Sequence, residues 1–337
     1  MGLRVLLLTR YGRTGASSRL RFLQYLPGLD EYDIDVHPAL PWVPSWVART
    51  VLGSLPLVID FDDAWHLRYN RSPNPLVRWT LGKKLEQMAR RADFVIVANK
   101  FLQSWAEDAG AECVSCIPTV VDLRRYPQTA LPPAKPFTIG WIGTPETAPY
   151  LDTIKSALKQ VLAEEGTRLL LVGADPSFLP LDNVETQSWS EAREANLLQR
   201  MHVGIMPLPQ GTWEYGKSGY KLVQYMAASR PVVASPVGVN CDVVKEGVNG
   251  FFAITEEEWV GNLERFRGNL ALTSALGAAA RETAEVSFSL RATVPKIADI
   301  LQSAAALRRP SRRSPSRASF KHDLARSGGS NGAAPPR

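Results

Sequence analysis

A two-domain α/β fold with mostly parallel sheets is what this sequence predicts, and three observations lead to it. Short apolar runs alternate with amphipathic helical patterns along most of the chain, as in parallel sheets flanked by helices. The chain has 337 residues, which exceeds the length at which one hydrophobic core usually stops growing. A Pro-containing stretch, residues 128–136, separates two such series and is predicted to be a linker.

The first series, residues 1–127, predicts an N-terminal domain. The predicted strands are Arg4–Thr9, Ile34–His37, Leu57–Asp60, Phe94–Ala98 and Val114–Ile117. The predicted helices are Ser18–Leu26, Leu76–Ala92 and Phe101–Ala109. The mostly apolar run Leu3–Leu8 is too short for the core of a signal peptide, so we expect it to be a buried strand.

The second series, residues 137–287, predicts a C-terminal domain. The predicted strands are Thr138–Ile142, Arg168–Val172, Val203–Met206, Val232–Ala234 and Phe251–Ala253, and the predicted helices are Tyr150–Glu164, Glu191–Arg200, Ser218–Ala228, Glu256–Leu263 and Leu270–Val286. A last helix within residues 288–305 is expected at the domain junction. Two such sheets facing each other would leave a cleft at the carboxyl ends of their strands, where ligands bind.

The basic charge of the chain is concentrated at its C-terminus. The net charge is +6, but the segment Arg308–Arg337 holds eight Lys/Arg and one Asp, which leaves a net charge of −1 for the remainder. A near-neutral body argues against nucleic-acid binding. Residues 306–337 are rich in Arg, Ser, Pro and Gly, so we predict a disordered tail. That tail is either inert or attracted to an anionic membrane face.

Cysteine content and hydropathy bear on the location of the protein. There are three cysteines in the chain, which points to a reducing compartment. No run of 18 apolar residues exists, so no membrane span is predicted. We therefore expect a cytoplasmic protein. Its alternative location is a peripheral one, at the inner face of the cell membrane. Cys113 and Cys116 are interpreted as small buried apolar residues, and not as a zinc or redox pair.

The stretch Met201–Phe252 predicts a phosphate site. An apolar run, Val203–Leu208, enters a Gly-containing loop, and a helical pattern with Lys217 and Lys221 follows. Backbone N–H groups at a helix N-terminus, reinforced by lysines, suit an anion such as a diphosphate.

Two classes of protein have a phosphate site of this kind. Gly211–Ser218 matches G-x-x-x-x-G-K-[ST], the phosphate loop of nucleoside triphosphatases. Against that class, the loop is filled by bulky or acidic residues, and no later apolar strand ends in an Asp suited to magnesium. A plain loop with solvated lysines is the remaining alternative.

The second kind of protein is indicated by a longer resemblance. The runs GKSGYKLVQYMAASRPVVASPVGVN and VVKEGVNGF, within Gly216–Phe251, resemble the donor-binding core of retaining glycosyltransferases of family 4, which have the GT-B fold. Further pieces that resemble the family stand in its order at Ala16–Arg21, Leu57–Ala64, Ile117–Asp122 and Phe137–Gly143.

The resemblance covers most of residues 1–300, and it implies fold and activity together. The fold would be GT-B, with two doubly wound Rossmann-type domains facing a central cleft. The activity would be that of a metal-independent hexosyltransferase that needs no cofactor. It would transfer a sugar from a UDP- or GDP-linked donor to a glycan, lipid-linked or other hydroxyl acceptor, as in polysaccharide biosynthesis.

Two departures from the family leave a non-catalytic nucleotide- or glycan-binding relative as an alternative. The acids of the family's E-x7-E motif align with Gly216 and Gln224, neither of which is Glu. Only residues 41–54 stand where the resembling enzymes carry further helices and a strand. The acceptor-side domain is therefore predicted to be shortened. The aromatic segment Pro41–Trp46 is either a sugar- or membrane-touching loop or a cover for the shortened core.

The candidate site residues follow from the phosphate chemistry and the resemblance. Charge that develops on a leaving diphosphate needs fixed cations, which Lys217 and Lys221 would supply. Glu214 would replace the first missing acid, and Asp62 or Asp63, in an acidic strand end with Asp60, would touch acceptor or sugar. The expected donor-binding residues are Gly15, Arg19, Gly143, Thr144, Glu194, Gly216, Ser218, Gly219 and Gln224. No metal-ligand cluster is predicted.

Overall fold

The structure is a computed structural model that describes residues 3–12, 15–38, 55–128, 130–132, 134–175, 177 and 179–307. Two sequence-based predictions lie outside these residues: the aromatic segment Pro41–Trp46 and nearly all of the predicted disordered tail.

Strands and helices alternate along the chain, as the sequence predicts. The strands are β1 (Arg4–Thr9), β2 (Asp33–Pro38), β3 (Val58–Phe61), β4 (Phe94–Val97), β5 (Val114–Cys116), β6 (Phe137–Ile142), β7 (Thr167–Val172), β8 (Val184–Gln187), β9 (Val203–Met206), β10 (Val232–Ala234) and β11 (Gly250–Phe252). The helices are α1 (Ala16–Ser18), α2 (Trp65–Asn70), α3 (Pro75–Leu81), α4 (Lys84–Arg91), α5 (Lys100–Asp108), α6 (Lys155–Leu162), α7 (Glu194–Gln199), α8 (Thr212–Tyr215), α9 (Tyr220–Ala227), α10 (Asn240–Val243), α11 (Glu256–Gly268), α12 (Leu270–Ser287) and α13 (Leu290–Ala306).

A six-stranded parallel sheet forms the centre of the second unit, residues 134–287. Its strand order is β11-β10-β9-β6-β7-β8. The chain leaves β6 toward β7 on one side and returns to β9 on the other, so the connections beyond the carboxyl ends of β6 and β9 diverge. Such a switch point is where open α/β sheets bind their ligands.

Helices bury both faces of this sheet. On one face, α6 and α11 contribute Leu158, Trp259, Leu263 and Phe266, each no more than 2% exposed. On the other face lie α7, α9 and α12. Because both faces are covered, the central strands are continuous apolar runs. Full burial of one large apolar side chain contributes about 1.5–3 kcal/mol, so this packing fixes the helices that carry the candidate site.

Helix α9 is seated on the sheet by Tyr225. Its ring lies so close to Gly204 of β9 that a Cβ there would be 2.2 Å from the ring. Its hydroxyl accepts a hydrogen bond from the Ile142 N–H at 3.0 Å and donates to the Ile205 carbonyl at 3.2 Å. The ends of β6 and β9 are therefore tied to the helix that follows the candidate phosphate turn.

The first unit, residues 3–128, contains two parallel sheets. β1 pairs with β2, and β3, β4 and β5 form a three-stranded sheet. Helix α13 returns from the second unit and packs its Val294 and Ile297 against the Tyr25 and Leu29 region. The backbone bond from Val121 N–H to the Phe288 carbonyl, at 3.0 Å, joins the units where the chain crosses back.

The expectation that the first strand is buried is wrong for one of its faces. Leu6 and Leu8 are 47% and 43% exposed, whereas Leu3 and Val5 pack inward against Tyr25. Side chains alternate across a strand, and only one face of the β1–β2 pair is covered among the described residues.

Three further predictions need correction. The predicted helix Leu76–Ala92 is two helices, α3 and α4, which separate at Gly82, a residue of low helix propensity. The edge strand β8 was missed because its sequence, VETQ, is mostly polar. Cys113 and Cys116 are exposed and not buried, since β5 lies at the edge of its sheet.

The buried ion pair between Arg21 and Asp60 yields a stability prediction. The Arg21 guanidinium lies 2.6 Å from the Asp60 carboxylate and also donates to the Ile117 carbonyl at 2.8 Å. Removing one partner leaves the other charge buried without its counter-charge, so Asp60→Asn should lower the free energy of unfolding by about 3–5 kcal/mol. Urea denaturation measures it. The matched control is Asp122→Asn, whose partner Arg124 is exposed; equal losses in both variants would contradict the prediction.

Candidate functional site

The turn between α8 and α9 is the candidate phosphate site. It follows β9 and lies beyond the carboxyl end of the sheet. Gly219 adopts a left-handed conformation, φ +67°, which favours glycine. No side chain caps the N-terminus of α9, so the helix end is available to an anion.

The same turn does not have the form of a nucleoside triphosphatase loop. Residues Thr212–Tyr215 are a helical turn. The N–H groups of Tyr215, Gly216 and Lys217 donate to carbonyls three or four residues earlier, at 3.1 Å each. These groups cannot also wrap round phosphates, so Gly211–Ser218 matches the motif in sequence only.

Lys221 is half-buried in the first turn of α9. Its Nζ donates to the Thr147 hydroxyl at 3.2 Å and lies 5.2 Å from the centroid of the Trp141 ring. Burial, and then repulsion from Lys217, lowers the pKa of Lys221 to about 7, with Asp63 opposing the shift. An ammonium with so few compensating partners favours an anion beside it.

Asp63 reaches this cationic turn from the first unit. Its carboxylate accepts a hydrogen bond from the backbone N–H of Ser218. Burial and the neighbouring Asp62 raise the pKa of Asp63 to about 6, while Lys217, Ser218 and Lys221 act to lower it. The N–H group of Ser218, a predicted donor-binding residue, is therefore held by a carboxylate in this structure.

The two units touch closely at this point. A Cβ on Gly216 would be 2.3 Å from the Ala64 Cβ, so only glycine permits this approach. Asn99 Nδ2 donates to the Lys217 carbonyl at 2.9 Å. The candidate phosphate turn therefore lies between the units and against the residue that follows Asp63.

Glu214 lies beside the turn and is bonded to Tyr150. The Tyr150 hydroxyl donates to Glu214 Oε1 at 2.6 Å. Burial and then the nearby carboxylates of Glu214 and Asp63 raise the pKa of Tyr150. The structure thus brings Glu214, Asp63 and the lysines together.

Glu194 is buried, and its carboxylate accepts hydrogen bonds from a residue of each unit. The hydroxyl of Tyr126 and the indole N–H of Trp189, at 2.7 Å, donate to its two oxygens. Tyr126 is in turn hydrogen-bonded to Tyr220, the first residue of α9. Arg19 of the first unit lies over the Trp189 ring at 5.0 Å. Glu194 thus positions the start of α9.

The remaining predicted donor residues lie after β6, on α9 and after β1. Thr144 donates its N–H to the Thr147 hydroxyl at 3.2 Å, and its own hydroxyl bonds to Glu146. Gly143 packs against Trp141. Gln224 is buried on α9. Gly15 ends the turn after β1, where its N–H donates to the Gly12 carbonyl at 3.0 Å.

The sequence did not predict several cationic and aromatic residues that lie next to the candidate site. Arg68 lies over the rings of Trp65 and Trp213, at 5.1 and 4.9 Å, and Arg10 lies over Trp65 at 4.4 Å. Lys217 lies 4.9 Å from the Trp213 ring centroid. Thr147 and Tyr150 were also missed, because Thr and Tyr are common surface residues without a characteristic spacing. Trp213 was seen only as a bulky loop residue.

Comparison with known proteins finds a family similarity within the second unit. Residues 136–269 match the model of the family described as glycosyl transferases group 1. The search of curated protein sequences found no match.

Solved structures establish the fold over about nine tenths of the chain. HepE from Anabaena, solved with UDP-glucose, has a TM-score of 0.67 at 18% identity, covering 89% of this chain and 100% of HepE. Sucrose-phosphate synthase from Thermosynechococcus elongatus has a TM-score of 0.69 at 15% identity, covering 91% and 100%. A glycosyltransferase from Rickettsia africae has a TM-score of 0.62 at 13% identity, covering 90% and 99%. The chain has the GT-B fold.

Within the described ranges, neither a metal cluster nor a membrane-spanning helix is found. No group of three or more His, Cys, Asp or Glu there could hold a metal ion. None of the helices there is long and apolar enough to cross a bilayer.

Binding of a sugar nucleotide should be accompanied by proton uptake. A diphosphate beside Lys221 and Asp63 favours the protonated form of both, so their pKa values should rise from about 7 and about 6. Affinity should then fall as the pH rises above about 7. Calorimetry at pH 7.5 in buffers of different ionisation enthalpy measures the uptake with UDP- or GDP-sugars, whose diphosphate does not titrate there. Lys221→Arg should reduce it, whereas zero uptake or proton release by the parent protein would contradict this account.

Proposed function

We propose that this protein is a retaining glycosyltransferase that uses a nucleotide-diphosphate sugar. The observation that carries the proposal is the pairing of a cationic turn, with Lys217 and Lys221, against Asp63 of the facing unit. A diphosphate would balance the positive charge of Lys217 and Lys221, which Asp63 offsets only in part, and Asp63 would face the sugar or acceptor.

The proposed reaction takes place on one face of the sugar. The bond from the anomeric carbon to the phosphate oxygen breaks while the acceptor oxygen bonds to the same face. The acceptor proton passes to the leaving phosphate oxygen. Lys217, Lys221 and the uncapped N-terminus of α9 stabilise the negative charge that develops there, so the proposal needs no metal ion. Glu214, held by Tyr150, and Asp63 orient the sugar.

The donor is proposed to carry UDP or GDP. HepE, which shares the fold, was solved with UDP-glucose, and this favours UDP as the first donor to test. The acceptor is a glycan, a lipid-linked sugar or another hydroxyl compound. A cytoplasmic position, with the basic tail touching the inner face of the membrane, remains our expectation from sequence.

A non-catalytic relative that binds nucleotide or glycan is the second candidate. Gly216 and Gln224 stand where the resembling family has its two acids, and both are buried. A buried amide can hydrogen-bond ribose, but it does not supply a negative charge.

Lysine substitutions test the phosphate site. Lys217→Ala or Lys221→Ala should weaken the binding of the preferred donor by about 1.5–3 kcal/mol, roughly 10- to 150-fold, because each removes a charge-assisted bond. Calorimetry measures the affinity, and circular dichroism checks the fold. Lys159→Ala, on the exposed side of α6, is the matched control. Donor affinity unchanged in both site variants would refute the site.

Turnover separates the two candidate functions. With UDP- and GDP-sugars and methanol as a surrogate acceptor, we expect slow release of UDP or GDP. We also expect a methyl glycoside with the anomeric configuration of the donor, which NMR identifies because such a glycoside does not mutarotate. Tight nucleotide binding without release from any donor would favour the non-catalytic relative, and an inverted glycoside would refute retention.

A further inference from the structure

Helix α3 presents an exposed apolar face on the first unit. Trp79 is 83% exposed and Leu76 is 62% exposed. They are three residues apart on one helix and so lie on the same side of it. A single exposed apolar side chain is ordinary, but a tryptophan and a leucine held side by side in water indicate a surface that is covered in use.

Helix α3 has a capped N-terminus, although its outer face is apolar. The Asn74 side chain caps its first turn by accepting from the Leu76 N–H at 2.9 Å, and Pro75 occupies the first helical position. Arg78 donates to the Ser72 carbonyl at 2.5 Å. The position of Trp79 is therefore set by a capped helix and not by a loose loop.

Positive charge surrounds the same face. The segment of residues 64–85 contains five Lys/Arg and no Asp or Glu, although the chain before Arg308 has a net charge of −1. Of these cations, Arg71, Arg78 and Lys83 are exposed around α3. An apolar, aromatic face bordered by cations matches the interface of an anionic bilayer, where tryptophan and basic side chains are favoured.

Two other exposed apolar surfaces differ from this arrangement. Ile254 and Val286, at 68% and 69% exposed, lie on the second unit, and neither has an exposed tryptophan within four residues on its own segment. The exposed face of β1 is bordered by charges of both signs, with Arg4 paired to Asp33 and His37 to Asp35. Neither surface has the net positive charge found around α3.

We propose that α3 and its bordering cations, Arg71, Arg78 and Lys83, dock onto an anionic phospholipid bilayer. Trp79 and Leu76 enter the headgroup region, and the cations contact the lipid phosphates. Only α2 and a short turn separate α3 from Asp63. Docking of α3 would therefore hold Asp63 and the candidate site close to the lipid surface. The inference is independent of sugar transfer and of the tail, because vesicle binding requires no donor.

Co-sedimentation of the full chain with vesicles tests the proposal. Binding to phosphatidylcholine vesicles should increase when phosphatidylglycerol is mixed in, and it should weaken with salt. Trp79→Ala should weaken binding about tenfold through lost apolar contact. Arg71→Gln and Lys83→Gln should each weaken it about fivefold. The matched controls are Val286→Ala and Lys159→Ala, which should bind like the parent.

Three outcomes would overturn the proposal. One is salt-sensitive vesicle binding that none of the α3 variants changes, since the basic tail would then account for it. Another is no preference for the anionic vesicles. The third is self-association that disappears in Trp79→Ala, detected by analytical ultracentrifugation, which would make α3 a contact between copies of the chain.

A second variant shows whether weaker binding of Trp79→Ala reflects lost lipid contact or lost structure. Trp79→Phe keeps an aromatic anchor, so vesicle binding should stay within about twofold of the parent. Quenching of tryptophan emission by brominated phospholipids should nevertheless decrease, because Trp79 is the ring in contact with lipid. Unchanged quenching in Trp79→Phe would show that another tryptophan meets the bilayer and would overturn the assignment.

Discussion

A carboxylate from one unit faces two ammonium groups from the other, and the candidate site is organised around this arrangement. Asp63 follows β3, while Lys217 and Lys221 flank the turn that starts α9, and burial shifts the pKa values of Asp63 and Lys221 toward their neutral forms. In water such charges would be screened. Between the two units, where Asp63, Lys217 and Lys221 are only partly exposed, they are screened less, so the site favours a compensating anion.

The rest of the structure holds these groups in place. The six-stranded sheet supplies the divergent loops after β6 and β9, and Tyr225 ties both strands to α9. Glu194 and Tyr126 fix the first residue of α9. On the opposite side, the buried Arg21–Asp60 pair secures the end of β3. A charged transition state is stabilised best by groups that need no rearrangement when charge develops.

The sequence predicted the elements of the second unit and the cationic turn because apolar runs and glycine–lysine spacing are local signals. It could not predict that Ser218 would bond to Asp63, or that Gly216 would approach Ala64, because these contacts join residues far apart in the chain. Thr147 and Tyr150 have no characteristic spacing, and their bonds to Lys221 and Glu214 also join distant parts of the chain. Glu194 was expected near the nucleotide, but its burial depends on Tyr126 and Trp189, which no pattern on its own helix reveals.

The most direct test of the central claim is a crystal structure of the protein with UDP or GDP bound. The account predicts that diphosphate oxygens lie within about 2.7–3.2 Å of Lys221 Nζ and of backbone N–H groups at the start of α9, with the Asp63 carboxylate moved away from the Ser218 N–H. A nucleotide bound elsewhere, with Asp63 still hydrogen-bonded to Ser218, would contradict it.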